Sequence, residues 1–291
     1  MPIYEVIHQS RQRYLETVVR SRNEVRLHPI ESATQHSLWF QLDVAPMAEL
    51  ASQIDYYGNQ VWFVSVETPH RELVLVTRAE VEVLERPFTY TLGQPWDETH
   101  LAYNPAAEFT FASPRVPRLK AIEALAAELG VKPGDGESLL AANAELRQRF
   151  AYVPGATAVD TPLEEVLERR MGVCQDFAHV MLAVARSAGW PARYVSGYML
   201  PESEDAVIGE SHAWLEVGNN NGYWVGLDPT HGVEARARHL SVAVGRDYDD
   251  VTPVRGAFLG QFRGEPPEVT VTIRLKPADP ERELALHLVD Q

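Results

Sequence analysis

Arg169-Arg-Met-Gly-Val-Cys174-Gln-Asp-Phe-Ala-His179 is the stretch on which the reading of this chain turns. It carries the one cysteine in 291 residues, two positions after a glycine. Phe177, Met181, Val184, Ala185 and Ala188 then recur at helical spacing, and Gly189 is a natural cap. A thiol at a helix N-terminus sits where a thiolate is easiest to hold, because unpaired backbone N–H groups and the helix dipole favour negative charge there. The same cysteine could also be a small buried hydrophobe, so the rest of the sequence has to decide.

Upstream of this run, residues 118–170 read as helices. Leu119, Ile122, Leu125, Ala126 and Leu129 are periodic before Gly130, and a second helix is expected from Ser138 to about Phe150. Thr161-Pro-Leu-Glu164 predicts a third, with Thr161 as N-cap and proline at the first helical position. Gly172 ends it, so a short loop delivers Cys174 to the next helix. Residues 1 to about 110 read as β structure: Leu73, Leu75, Thr77, Ala79, Val81 and Val83 alternate with mostly polar residues. Trp39–Val44 and Gln60–Val66 are further strands, with turn chemistry in Asp55-Tyr-Tyr-Gly-Asn59 between them. After the cysteine helix, residues 192–200, 211–217, 223–228 and 269–273 are strand-like. The expected fold class is α+β. An antiparallel β-sandwich-like domain spans residues 1–112, and helices packed on an antiparallel sheet, with a C-terminal strand extension, span 113–291. Arg246-Asp-Tyr-Asp-Asp250 is expected to be a solvated turn, since it lacks the ligand spacing of a calcium loop.

Composition excludes several classes. A single cysteine rules out a disulfide within the chain, a multi-thiolate zinc site and an iron–sulfur cluster held by this chain alone. A net charge of −15 argues against nucleic-acid binding. The start has no basic segment followed by an apolar stretch, and no apolar run is long enough to span a bilayer, so a cytoplasmic protein without membrane partners is expected. No cofactor or metal is called for, and the oligomeric state is not legible.

A thiol nucleophile needs a base, and the base needs an orienting group. Among ten histidines, His212 in Ser211-His-Ala-Trp-Leu-Glu-Val217 has the best context. The strands 211–217 and 223–228 flank a five-residue loop, Gly218-Asn-Asn-Asn-Gly222. Centring that loop on Asn220 opposes Val217 to Tyr223, Trp214 to Gly226 and His212 to Asp228, which puts imidazole and carboxylate on one sheet face. A slip of one residue would separate them. Taken singly, a histidine on a strand is often structural and an aspartate before proline is often a turn former; their joint placement in a chain with one suitably sited thiol favours chemistry.

Gly172-Val-Cys-Gln-Asp-Phe-Ala-His179, Ser211-His-Ala-Trp-Leu-Glu216 and Gly226-Leu-Asp-Pro-Thr-His-Gly232 resemble the core of the transglutaminase-like superfamily, most closely its bacterial cysteine-protease-like members. Arg26-Leu-His-Pro29 and Asp55-Tyr-Tyr-Gly-Asn59 are similar to the β domain that precedes that core, and residues 246–256 to its usual C-terminal stretch. The resemblance implies a papain-like thiol site: Cys174 as nucleophile, His212 as base, Asp228 as orienting acid, and a peptide or protein substrate attacked at an amide through a thioester. The backbone N–H of Cys174 is the expected oxyanion donor, with Tyr152 as a candidate second one. Gln175, Trp214, Trp224 and His231 are candidate cleft residues; the tryptophans are expected to wall the cleft or fill the core. His231 competes with His212 as base from beyond the strand end, and His179 is expected to pack within its helix. Gln175 stands where animal transglutaminases have tryptophan. With no calcium loop visible and no room for two C-terminal β domains, calcium-dependent crosslinking is not expected. Peptide hydrolysis, amine transfer and a non-catalytic binding module are the three functions left to separate.

Overall fold

The structure is a computed structural model and describes residues 1–84, 92, 105–200, 208–219, 222–259 and 266–277. The first strands are β1 (Ile3–Val18), β2 (Arg20–Val25), β3 (Gln35–Ala45), β4 (Glu49–Ile54), β5 (Gln60–Val66) and β6 (His70–Val83). A 3-10 turn, Pro105–Thr110, leads into α1 (Lys120–Glu128) and α2 (Gly136–Arg149). The two-residue strand β7 (Ala151–Tyr152), α3 (Leu163–Arg169) and β8 (Met171–Gly172) then bring the chain to α4 (Cys174–Ser187). Strands β9 (Ala192–Met199), β10 (Ile208–Gly218), β11 (Trp224–Asp228), β12 (Val233–Ala235) and β13 (His239–Gly245) follow. The one-turn helix α5 (Tyr248–Val251), β14 (Val254–Leu259) and β15 (Glu268–Leu275) complete the described chain.

The inward residues of β6 predicted by alternation are all buried, Leu73, Leu75, Thr77, Ala79, Val81 and Val83 alike. They stand in a nine-stranded antiparallel sheet whose main path is β12-β11-β10-β15-β1-β6-β3, with β9 added beside β10 and β13 beside β9. A second sheet, β14-β2-β5-β4, faces it. Val25, Val64 and Val66 of the second sheet meet Tyr14, Val18, Leu42, Leu73 and Leu75 of the first between them. Two C-terminal strands complete N-terminal sheets: β15 lies against β1 (Val6 opposite Ile273) and β14 against β2 (Val25 opposite Val254). Since β10 also pairs with β15, the sheet that carries the candidate base runs without a break into the N-terminal strands.

Helix α4 is buried from Asp176 to Arg186 on nearly every side, the mark of a helix in the middle of a core. It packs on β9 and β10 and is covered by α1, α2 and α3. Gly189 takes the left-handed conformation (φ +85°) expected of its cap.

Two local expectations fail for identifiable reasons. Thr161 does not cap α3. Its Oγ1 accepts the Ala158 N–H at 2.8 Å, which leaves Pro162 as the residue before the helix. Residues 246–250 are not a solvated turn either. Asp247 is 1% exposed; it caps α5 through the Asp249 N–H and accepts the Arg115 N–H, while Asp250 pairs with Arg246. The negative run is consumed by local donors and arginines rather than by water.

The Asp55 turn has a long-range role. Asp55 Oδ1 accepts the N–H groups of Tyr57 and Asn59, which aims the Asn59 amide at β13, where it donates to Val244 O and accepts from Val244 N, both at 2.8 Å. Gln35 does the same to Ser241, at 2.6 and 2.8 Å. Two buried amides from the N-terminal region thus stand in for a neighbouring strand along the outer edge of β13.

Candidate active site

The position of Cys174 is set by what precedes it. Arg170 ends α3 in the left-handed conformation (φ +49°), and Gly172 pairs with Tyr152. Val173 is extended and becomes the N-cap of α4, with Cys174 its first residue. Asp176, 2% exposed, reaches back to accept the Val173 N–H at 2.8 Å, the carboxylate half of a capping box, and also the Thr157 hydroxyl at 2.6 Å. Burial raises its carboxyl above the usual range despite those bonds. Cys174 is half-buried at this helix start, where its own N–H belongs to the first-turn donors that a helix leaves unpaired.

His212 Nε2 lies 2.8 Å from Asp228 Oδ2. Cys174 acts on the same imidazole, whose Nδ1 is left unengaged by Asp228. Burial pulls the imidazole down, but Asp228 and Cys174 outweigh it and lift His212 to about 9. Burial alone would raise Asp228; hydrogen bonds from His212 and two further imidazoles hold it well below the usual carboxylate range.

The route by which His212 reaches Asp228 differs from expectation. The hairpin pairs Leu215 with Leu227, Val217 with Val225 and Gly218 with Trp224. Its register is therefore two residues from the predicted one, because Asn219 joins the ladder through its N–H to Tyr223 O. His212 is diagonal to Asp228 rather than opposite. A shift of two keeps both side chains on one face, and a diagonal pair is within reach of an imidazole.

Asp228 is fully buried and gathers more than one histidine. His231 Nδ1 lies 2.8 Å and His239 Nε2 2.9 Å from the same Oδ2. Oδ1 accepts the backbone N–H groups of Thr230 and His231. His231 is half exposed and its ring stands 5.2 Å from that of His212. His239 was missed in the sequence. Its Nδ1 accepts the Arg236 N–H at 3.2 Å, which assigns the proton to Nε2 and makes it a fixed donor to Asp228. Burial keeps it below its ordinary pKa. The potential metal-binding atoms of His212, Asp228 and His231 lie within 4.8 Å of one another, a convergence that their hydrogen bonds to Oδ2 account for.

The remaining candidates sit as follows. Trp214 is 1% exposed and belongs to the core, not to a cleft wall. It stacks on His212 (centroids 6.0 Å, planes 27° apart) and meets His239 edge-on at 5.1 Å. Trp224 stands at the far end of β11, with the Arg193 guanidinium 4.2 Å above its ring and Phe109 against its edge, away from the thiol. Gln175 does not line an open cleft with its amide, which donates to Val159 O at 3.0 Å. Tyr152 is exposed, its ring 6.3 Å from Phe177. His179 is packed in its helix, where Nε2 accepts the Tyr248 N–H at 3.2 Å.

A thiol at a helix start, on an antiparallel sheet that presents a histidine and an aspartate, defines a papain-like arrangement. Residues 123–229 match the profile of the transglutaminase-like superfamily and residues 4–82 that of the bacterial transglutaminase-like N-terminal region. An uncharacterised protein of Mycobacterium leprae is 34% identical over 269 residues, covering 88% of this chain and 93% of its own. One from Mycobacterium tuberculosis is 33% identical over 288 residues, covering 93% and 92%. A protein-glutamine gamma-glutamyltransferase of Pseudomonas aeruginosa is 35% identical over 123 residues, 38% of this chain and 18% of that one. A crystal structure from Cytophaga hutchinsonii, described as a candidate cysteine protease, superposes with a TM-score of 0.74 at 19% identity over 95% of this chain and 98% of its own. The chain belongs to the transglutaminase-like superfamily, whose members are usually enzymes. Among the described residues, no helix is long and apolar enough to cross a membrane.

Proposed function

We propose that the protein is a thiol-dependent acyl-transfer enzyme acting on amide bonds of peptides or proteins, with water as the usual acceptor. The observation that carries this reading is one imidazole held at 2.8 Å by a buried carboxylate, on the strand against which the Cys174 helix packs. His212 takes the thiol proton and the Cys174 sulfur attacks the substrate carbonyl carbon. The oxyanion forms beside the first-turn N–H groups of α4, that of Cys174 foremost. As the C–N bond breaks, His212 returns the proton to the leaving amine. Water, deprotonated by the same imidazole, then attacks the thioester and releases the carboxylate and the thiol. Asp228 keeps the imidazole in one tautomer and orientation throughout. His231 shares Asp228 but is half exposed beyond the strand end, whereas His212 is buried on the strand beneath the cysteine helix, so His212 is the base.

The test is alkylation. Iodoacetamide labels Cys174 near neutral pH, and His212→Ala slows that labelling severalfold or more; equal rates in the two proteins would refute the assigned pair. Amine transfer is the second reading, favoured by the partial match to a gamma-glutamyltransferase. Incubation with a glutamine peptide and a labelled amine separates the two, since incorporated amine marks transfer and a new carboxylate marks hydrolysis.

A further inference from the structure

Residues 151–160, Ala-Tyr-Val-Pro-Gly-Ala-Thr-Ala-Val-Asp, hold one charge in ten positions, in a chain that is 23% charged. The segment is fastened on both sides of the thiol. Ala151 N donates to Arg170 O and Val153 N to Gly172 O, both at 2.9 Å, just before Cys174. The Gln175 amide holds Val159 O at 3.0 Å and Thr157 bonds Asp176 at 2.6 Å, just after it. With its backbone held to the start of α4, the segment turns its apolar side chains outward: Tyr152 is 41% exposed, Val153 38% and Val159 52%. Exposed apolar side chains on a segment fastened beside a reactive group mark a place where something apolar is bound.

We infer that this strip is the subsite for the acyl side of the substrate, and that it selects peptides with an apolar side chain next to the attacked carbonyl. The inference rests on Cys174 being the nucleophile. Its occupant is substrate because the hydrogen bonds that hold the strip go to Gly172, Gln175 and Asp176, the residues that flank Cys174. Covering one aliphatic side chain against Val153 and Val159 corresponds to about a tenfold gain in rate.

Peptidyl chloromethyl ketones test this without turnover. The thiolate displaces chloride to form a thioether, His212 holds the proton, and mass spectrometry reads the adduct. Reagents carrying Leu, Gly or Lys beside the ketone are compared in the wild type and in V153D/V159D. Each rate is divided by the iodoacetamide rate of the same protein, so that a change in the thiol itself cancels. The wild type prefers Leu over Gly about tenfold; in the double variant that preference falls to near unity and Lys becomes the favoured reagent. A wild-type Leu-to-Gly ratio within about twofold of one, or a preference that survives the double variant, overturns the subsite while leaving the thiol reading intact. If iodoacetamide labels Cys174 no faster with His212 than without it, the thiol reading fails and the subsite falls with it. If the double variant alters sedimentation from dimer to monomer rather than selectivity, the strip is a self-association surface and the inference is wrong.

Discussion

At the scale of single residues the site is organised by Asp228 as much as by Cys174. One buried carboxylate accepts three imidazole N–H groups on Oδ2 and two backbone N–H groups on Oδ1. Of the three imidazoles, His239 has the most constrained role, since its Nδ1 is already an acceptor for Arg236 N–H. With both ring nitrogens engaged, it fixes where Oδ2 points. Removing it leaves a buried charge one donor short, a loss of about 1.5–3 kcal/mol for a hydrogen bond to a charged group. His239→Leu is therefore expected to lower the urea midpoint and to slow alkylation of Cys174 severalfold at pH 7. His239→Gln, which can present an N–H toward Oδ2, recovers most of the alkylation rate. If Leu and Gln slow alkylation equally, positioning of Asp228 is not what His239 supplies. The sequence could not single out His239: it lies on β13, which pairs with β9 rather than with its chain neighbours, and no local period announces that pairing.

At the scale of elements, the position of the thiol depends on the turn before α4. A Cβ on Gly172 would meet Asp176, with its Cγ at 2.8 Å and Oδ2 closer still. The glycine is thus present to let a buried carboxylate fold back over the N-cap of the cysteine helix. Gly172→Ala should push Asp176 off the Val173 N–H, loosen the first turn of α4 and cut alkylation of Cys174 by about tenfold or more, in the range of a lost cap of about 1–2 kcal/mol. Asp176→Asn in the same background, measured by alkylation, should add little to that loss, because the two changes break one contact; full additivity would place the effect elsewhere. The helix, its cysteine start and its Gly189 stop were legible because helical spacing and caps are local signals. The hairpin was legible only in parity. A centre misplaced by one residue displaces every opposed pair by two, so His212 and Asp228 remained on one face while their direct opposition did not. Thr161 and the acidic run at 246–250 misled for the same reason: a polar side chain has several possible local partners, and sequence spacing does not choose among them.

At the scale of the molecule, buried histidines give stability a pH dependence whose sign can be worked out. Burial lowers His8 from 6.5 to about 4 and His179 to about 3; the first lies on β1 against Tyr198, the second inside α4. Both are neutral in the fold, so between those values and 6.5 the unfolded chain binds more protons, and stability is lost as pH falls below 6.5. Asp228, depressed from 3.8, adds a further loss that begins only near and below that value. His212 works in the opposite direction. Its folded value of about 9 lies above 6.5, so its contribution is complete below 6.5 and is lost as pH rises toward 9. The expected profile of the urea midpoint is a dome with its maximum near pH 6.5. His8→Gln or His179→Gln should flatten the limb between pH 4 and 6.5, each leaving an amide that can meet the partner the ring had. His212→Gln should flatten the limb between 6.5 and 9 and leave the acid limb in place. A wild-type midpoint that is level from pH 7 to 9 would mean that His212 is not held as a cation by Asp228, even if Cys174 proved reactive.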